Sequence, residues 1–188
     1  MSKPNVDGVH SDVKVVESPT RVLKAYDVLL RCIALSLTLV ATIIVAVDHE
    51  TKIISYAEMH FKATAKWEYM SAIVFFLVSN AIACSYAAIS LVMTAMARSN
   101  GKDDVAVLVL TALDLVIMAL LFSANGAASA VGLIARKGNS HVEWTKVCNV
   151  FDAYCRYITA ALVLSIVGSA TFLLLVLHSV LKLHYRST

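Results

Sequence analysis

Two charged side chains interrupt long apolar segments of this 188-residue chain, and they are its clearest candidates for chemistry. Arg31 lies near the start of the first apolar segment, and Asp114 lies within the third. An ionised group at bilayer depth costs at least about 2.5–3.5 kcal/mol, so such residues normally face protein and find a partner. The two side chains therefore predict either a structural ion pair or a carboxylate that relays protons or ions.

The segments that carry these charges are long enough to cross a membrane. The chain is 59% hydrophobic, above the roughly 45–50% of soluble domains. A helix needs about 20 apolar residues to span a bilayer, and four segments supply them: 28–47, 71–97, 105–135 and 157–183. The alternation typical of barrel strands is absent. We therefore predict an all-α membrane protein, a four-transmembrane-helix bundle with cytoplasmic N- and C-termini.

The domain division follows from the same segments. Residues 1–27 are polar and mixed in charge, which predicts a flexible cytoplasmic tail. Residues 28–183 form the transmembrane domain, and residues 184–188 form a short cytoplasmic tail. Lys and Arg are divided almost evenly between the two sides of the membrane, so charge by itself gives little support to this orientation.

One span lies between those of Arg31 and Asp114, so the first and third spans begin on the same side of the bilayer. The first and third helices then run parallel, and the two residues differ in depth by about 9 Å at 1.5 Å per residue. A long arginine side chain could close that gap, and the pair would fix which helices meet and in what register. Two alternatives stay open: Arg31 reaches the membrane surface, or it pairs with Asp27 one turn earlier. Either would leave Asp114 alone and protonated.

Small residues form a second pattern, on the third and fourth spans. Helices in lipid associate by close backbone approach, which small side chains permit. Such faces pack either inside the bundle or between subunits. The residues are Ala124, Gly126, Ala128, Gly132, Ala161, Ser165, Gly168 and Ser169.

The four cysteines divide into two pairs. Cys32 and Cys84 lie in spans, where we expect them to act as packing residues. Cys148 and Cys155 lie in the second outward-facing loop, where an oxidising compartment permits a disulfide. A regular helix would hold their Cα atoms about 10 Å apart, too far for a bond. The predicted disulfide therefore requires a turn between them.

Other candidate chemistry is weak. His141, Cys148 and Cys155 lack the close paired spacing of zinc sites, so we expect no metal. Trp144, in the same extracellular loop, and Trp67 are expected at the membrane interface. Phosphate-binding glycine loops, nucleophile elbows and zinc-protease motifs are absent, so we expect neither catalysis nor a cofactor. The sequence has no basic run interleaved with aromatic residues, so we expect no nucleic-acid binding.

Several runs of residues are shared with one plant family. They are Leu30-Arg31 with Ala34 and Thr38-Leu39, NAIACSY at 80–86, Asp114-Leu115-Val116, and ALLFSANGAA at 119–128. These runs resemble the Casparian strip membrane domain protein family, which is related to the wider MARVEL-type tetraspan group. Gly138-Asn139, His141-Val142, Trp144 and the Cys148 to Cys155 pair resemble the family's second extracellular loop.

The resemblance implies a plant plasma-membrane protein with four helices and cytoplasmic termini. The family's characteristic intramembrane arginine and aspartate correspond to Arg31 and Asp114. Likeness to the family's members also implies three kinds of partner. They are family members in homodimers, heterodimers or higher oligomers, membrane lipids, and extracellular cell-wall enzymes. The first outward-facing loop, 48–68, lacks the Pro- and Phe-rich signature of the true Casparian strip members, so the chain is identified as a CASP-like relative.

Two functions remain after these exclusions. The first is a non-enzymatic scaffold that oligomerises, organises membrane domains and guides local cell-wall modification. The alternative is a small proton, ion or solute transporter or channel that uses Asp114 as a relay. The spans contain one carboxylate, without a broken helix or internal repeat, a pattern that favours the scaffold over the transporter.

Overall fold

A computed structural model of the chain describes residues 19–56, 59–96, 104–141 and 144–187. Residues 1–18 of the predicted N-terminal tail, residue 97 of the predicted second span and residue 188 of the predicted C-terminal tail lie outside the described residues.

Four long helices dominate the described chain. They are α1 (Pro19–Val47), α2 (Ser71–Met96), α3 (Asp104–Lys137) and α4 (Asp152–Ser187). Each contains a stretch long and apolar enough to cross a membrane. Helices suit this environment because they satisfy their backbone hydrogen bonds internally. The predicted four-helix membrane fold class is confirmed.

Two predicted boundaries differ from the structure. Helix α1 already begins at Pro19, so residues 19–27 are helical and do not form a flexible tail. Proline suits the first turn because its missing N–H would have no intrahelical partner there. Helix α4 likewise continues through residues 184–187. The predicted limits followed apolar content, whereas a helix can project beyond the lipid with polar side chains on its end turns.

The helices form a ring in which each packs against its neighbours. Helices α1 and α3 both pack against α2 and α4, so α1 and α3 face each other across the centre. We call the end where α1 begins and α4 finishes the termini end, and the opposite end the hairpin end. The membrane segment of α3 is 17% buried, against 33–39% for the other three helices. Helix α3 therefore leaves the largest face to lipid.

The bundle interior consists of two apolar clusters. The hairpin-end cluster includes Ala41, Phe76, Ala128 and Ala161. The termini-end cluster contains Leu30, Ala34, Ala83, Ala87, Ile117, Leu121, Phe172 and Leu175.

Buried polar residues separate the two clusters on every helix, and we call them the central polar layer. On α3, for example, Asn125 lies between Leu121 of one cluster and Ala128 of the other. The layer therefore crosses the bundle between two apolar regions. Its members are Thr38, Ser79, Asn80, Asn125, Ser165 and Ser169.

The connection between α1 and α2 contains a β-hairpin that the all-α prediction omitted. Strands β1 (His49–Tyr56) and β2 (Met59–Lys66) pair antiparallel, with His49 opposite Lys66. A two-stranded hairpin is at best marginally stable alone. Here Ala65 is buried in the hairpin-end cluster beside Phe151 and Tyr154. The bundle therefore supports the hairpin.

Candidate functional site

Arg31 and Asp114 meet in the bundle centre. Their side chains come from α1 and α3, the two helices that face each other across the ring. Arg31 Nη1 donates to Asp114 Oδ1 at 3.2 Å, and Nη2 donates to Oδ2 at 3.0 Å. Arg31 is 2% exposed and Asp114 is 0% exposed. Such two-point contact between guanidinium and carboxylate fixes orientation as well as distance.

Two further side chains complete this charge cluster. The Tyr86 hydroxyl on α2 lies 2.7 Å from Asp114 Oδ1 and 3.1 Å from the Leu110 carbonyl. Arg31 Nε donates to Asp27 Oδ2 at 3.3 Å. Arg31 therefore contacts Asp27 and Asp114 together, and Asp114 is not isolated. The side chain of Arg31 is 3% exposed, so it does not extend to the membrane surface.

The charge cluster is sealed from the central polar layer. One turn toward the hairpin end, α1 and α2 place the buried residues Ala34 and Ala83 between the two polar regions. On α3 Ile117 and Leu121 do the same. With both Asp114 oxygens and all three Arg31 nitrogens engaged, the arrangement can hold three helices together.

The central polar layer is only partly hydrogen-bonded. Asn125 Nδ2 donates to Ser169 Oγ at 2.9 Å, which joins α3 to α4. Ser169 Oγ in turn donates to the Ser165 carbonyl at 2.8 Å. Within the described part of the chain, buried side-chain oxygens of Ser79, Asn80, Asn125 and Ser165 have no hydrogen-bond partner.

The predicted small-residue faces fall into two groups. Ala124 and Ala128 on α3 are buried inside the bundle. A Cβ on Gly126 or Gly132 would meet nothing within 4 Å, so these glycines do not pack within the bundle. The four small residues on α4 are all buried: Ala161, Ser165, Gly168 and Ser169.

The structure joins Cys148 to Cys155 in a disulfide. A short 3₁₀ turn at Val147–Asn149 precedes α4, which begins at Asp152. This turn shortens the Cα–Cα distance to 5.7 Å. The required turn is therefore present. Cys32 and Cys84 are free and half-buried.

The other predicted residues of this loop are at the surface. His141 is exposed, and its amide donates to the Asn139 side chain at 3.0 Å. Trp144 is 60% exposed and pairs with Asn139 through backbone hydrogen bonds. Gly138 has φ 70°, and a Cβ there would lie 2.7 Å from the Trp144 carbonyl oxygen. Only glycine suits that turn.

The hairpin is attached to α4 by polar contacts. Glu50 Oε2 accepts a hydrogen bond from the Tyr154 amide at 2.9 Å, and this bond, followed by Lys52, lowers the pKa of Glu50. Asp48 is 7% exposed. Burial, then the Glu50 charge, raises the pKa of Asp48 to about 6, although His49 opposes the shift.

Among the described residues, no group of three His, Cys, Asp or Glu side chains could hold a metal ion. Trp67 is half-buried and packs against the hairpin-end cluster.

Sequence reasoning missed three contributors to these sites. Tyr86 lies in the family-like run at 80–86, and Asn125 lies in the run at 119–128, but neither run by itself indicates a contact. The Glu50–Tyr154 contact joins residues 104 positions apart. No local sequence pattern predicts this contact.

Comparison with known proteins places the chain in a family. The model of the Casparian strip membrane protein domain matches residues 20–171. The chain is 52% identical to CASP-like protein 1E1 of Vitis vinifera, across 99% of this chain and 96% of that protein. It is 46% identical to CASP-like protein 1E1 of Glycine max, across 97% and 100%, and 38% identical to that of Arabidopsis thaliana, across 97% of each.

No solved structure matches the chain. The family match covers the charge cluster and the disulfide, and the similarity to the relatives extends over nearly the whole length. This chain belongs to the Casparian strip membrane protein domain family, among its CASP-like members.

Proposed function

We propose that this protein is a non-enzymatic scaffold of the plasma membrane. In this proposal it assembles with copies of itself and with relatives, organises membrane domains and guides local cell-wall modification. Both termini lie in the cytoplasm, while the hairpin and the disulfide-bonded loop face the cell wall. Membership of the CASP-like family is consistent with this role.

The closed charge cluster is the observation that carries the proposal. Asp114 accepts two hydrogen bonds from Arg31 and lies 2.7 Å from the Tyr86 hydroxyl, deep in the bundle. A relay carboxylate must exchange its proton or ion with water. Here apolar residues of the termini-end cluster separate it from the central polar layer. The cluster is therefore suited to holding α1, α2 and α3 in one register.

An exposed face of small residues on α3 supports the proposed assembly with other copies or relatives. Ala119, Ser123, Gly126 and Ala130 are exposed on this helix at spacings of four, three and four. Such a face lets another helix approach closely in lipid. We infer that further copies or relatives pack here.

The unpaired oxygens in the central polar layer are the feature that favours the alternative, a transporter. Polar groups buried in a membrane mark substrate paths in many proteins. Both sides of this layer are closed by apolar clusters, however. A transport cycle would have to open both clusters and also break the Arg31–Asp114 contact.

The two functions predict opposite results for Asp114→Asn. We would count subunits by single-molecule photobleaching in nanodiscs and measure proton and ion flux in proteoliposomes. For a scaffold, the wild type shows no flux above empty vesicles, and Asp114→Asn forms fewer oligomers. Normal oligomers of Asp114→Asn together with loss of a wild-type flux would overturn the scaffold proposal. The control variant is Asp27→Asn, which should also show no flux, because it alters only the outer contact of Arg31.

A further inference from the structure

A groove of about 380 Å³ opens at the hairpin end of the bundle. Its walls come from the start of α2, the end of α3, the start of α4 and the disulfide. Apolar side chains line most of it, including Ile73, Val131, Ile158 and Val163. Gly132 also lines the groove, and a Cβ added there would meet nothing within 4 Å. The missing side chain therefore keeps the groove open.

Two guanidinium groups stand among the groove residues. Arg136 lies in the last turn of α3, and Arg156 lies near the start of α4. Asp152 also lines the groove, but its carboxylate is 4.0 Å from Arg156, with the two side chains 72% and 80% exposed. An exposed pair of this kind contributes little. The charged residues of the groove therefore carry a net positive charge.

The position of the groove matches the boundary between lipid tails and headgroups. The membrane segment of α3 ends at Lys137, and that of α4 begins at Asp152. The arginines therefore lie at headgroup level, and Val131 and Val163 lie deeper, at the level of acyl chains. Arginine binds phosphate through two parallel hydrogen bonds, and basic pockets between membrane helices hold lipid headgroups.

We propose that this groove binds one glycerophospholipid, with its phosphate between Arg136 and Arg156 and an acyl chain over Gly132. The lipid bridges the outer ends of α3 and α4 beside the disulfide. This site depends on the membrane fold and not on the scaffold role, so it stands or falls independently of assembly.

Native mass spectrometry of the full chain tests the site. The protein is purified in mild detergent and titrated with 1-palmitoyl-2-oleoyl-phosphatidylglycerol, and bound lipid is counted per subunit. We expect one retained lipid on the wild type. Gly132→Leu fills the groove and should weaken binding by about tenfold or more. Ala170→Leu is the matched control, because Ala170 is an exposed small residue of α4 that lies outside the groove and outside the proposed assembly face.

A second pair of variants tests the contact with the headgroup. The substituted residues are exposed, so their replacement should not disturb folding. Arg136→Gln combined with Arg156→Gln should weaken phospholipid binding by about tenfold and abolish the preference over a diacylglycerol with the same chains. Lys137→Gln should change neither.

Three results would overturn the proposal: equal lipid binding by the Gly132→Leu and Ala170→Leu variants, displacement by inorganic phosphate alone, or a lipid-free dimer that Gly132→Leu abolishes. The last would assign the groove to a second copy of the chain. Thermal unfolding of each variant in detergent without added lipid separates loss of binding from loss of fold.

Discussion

Removing Arg31 should destabilise this bundle more than removal of any exposed charge. Arg31→Ala deletes both contacts to Asp114 and the contact to Asp27. It leaves Asp114, which is 0% exposed, with Tyr86 alone. Breaking a buried pair from one side costs about 3–5 kcal/mol. We expect the free energy of unfolding to fall by that amount.

A double-mutant cycle measures how much of this loss belongs to the pair. Arg31→Ala, Asp114→Ala and the double variant are unfolded with dodecyl sulfate in mixed micelles and followed by circular dichroism. The double variant buries no unpaired charge. It should therefore be more stable than the sum of the single losses predicts, by about 1.5–3 kcal/mol.

The matched control for this cycle is Asp27→Ala. Asp27 is on the same helix and contacts the same guanidinium, but its side chain is 17% exposed and lies at the end of the membrane segment. Its loss should cost no more than about 1 kcal/mol. A coupling below about 0.5 kcal/mol between Arg31 and Asp114 would refute the reasoning.

Three further predictions concern the hairpin end and the central polar layer. A carboxyl with a raised pKa favours the folded state when protonated, so the contribution of Asp48 to hairpin docking should be complete below about pH 4 and be lost as the pH rises from about 4 to 6, whereas the lowered pKa of Glu50 gives a contribution of opposite sign that is lost as Glu50 becomes protonated. Hydrogen exchange of β1 and β2, corrected for intrinsic rates, should show this change in the wild type and lose it in Asp48→Asn; an unchanged profile in that variant would exclude Asp48 as the titrating group. Cys148→Ser removes the disulfide to Cys155, and the short loop between them predicts a loss of about 2–3 kcal/mol, measurable by thermal unfolding against the oxidised wild type, with the reduced wild type expected to match the variant. Asn125→Leu removes the bond to Ser169 and one unpaired oxygen together, so its unfolding free energy should change by less than about 1.5 kcal/mol, whereas a larger loss would mean that the layer is fully bonded.

The sequence was sufficient to locate the membrane segments and to suggest the central ion pair. Charges within apolar segments are rare, so Arg31 and Asp114 pointed to each other once the span count made their helices parallel. Tyr86 could not be selected in the same way, since a tyrosine is tolerated at many depths. Only packing of α2 against α3 brings its hydroxyl to Asp114.

The hairpin was not predictable from the same patterns. Its strands contain polar residues such as Thr51 and Lys52, and its stability depends on burial of Ala65 against the bundle. Long-range contacts of this kind override weak local preference. The same holds for the start of α1, because apolar content marks where lipid begins and not where a helix begins.

Lateral mobility tests the central claim most directly. The chain, tagged at its C-terminus, would be expressed in plant cells, and recovery after photobleaching would be recorded at the plasma membrane. A scaffold built on the Arg31–Asp114 contact should recover slowly within bounded patches, and Asp114→Asn should recover faster or fail to reach the membrane. Rapid, uniform recovery of the wild type, equal to that of a single-span control protein, would contradict the scaffold account.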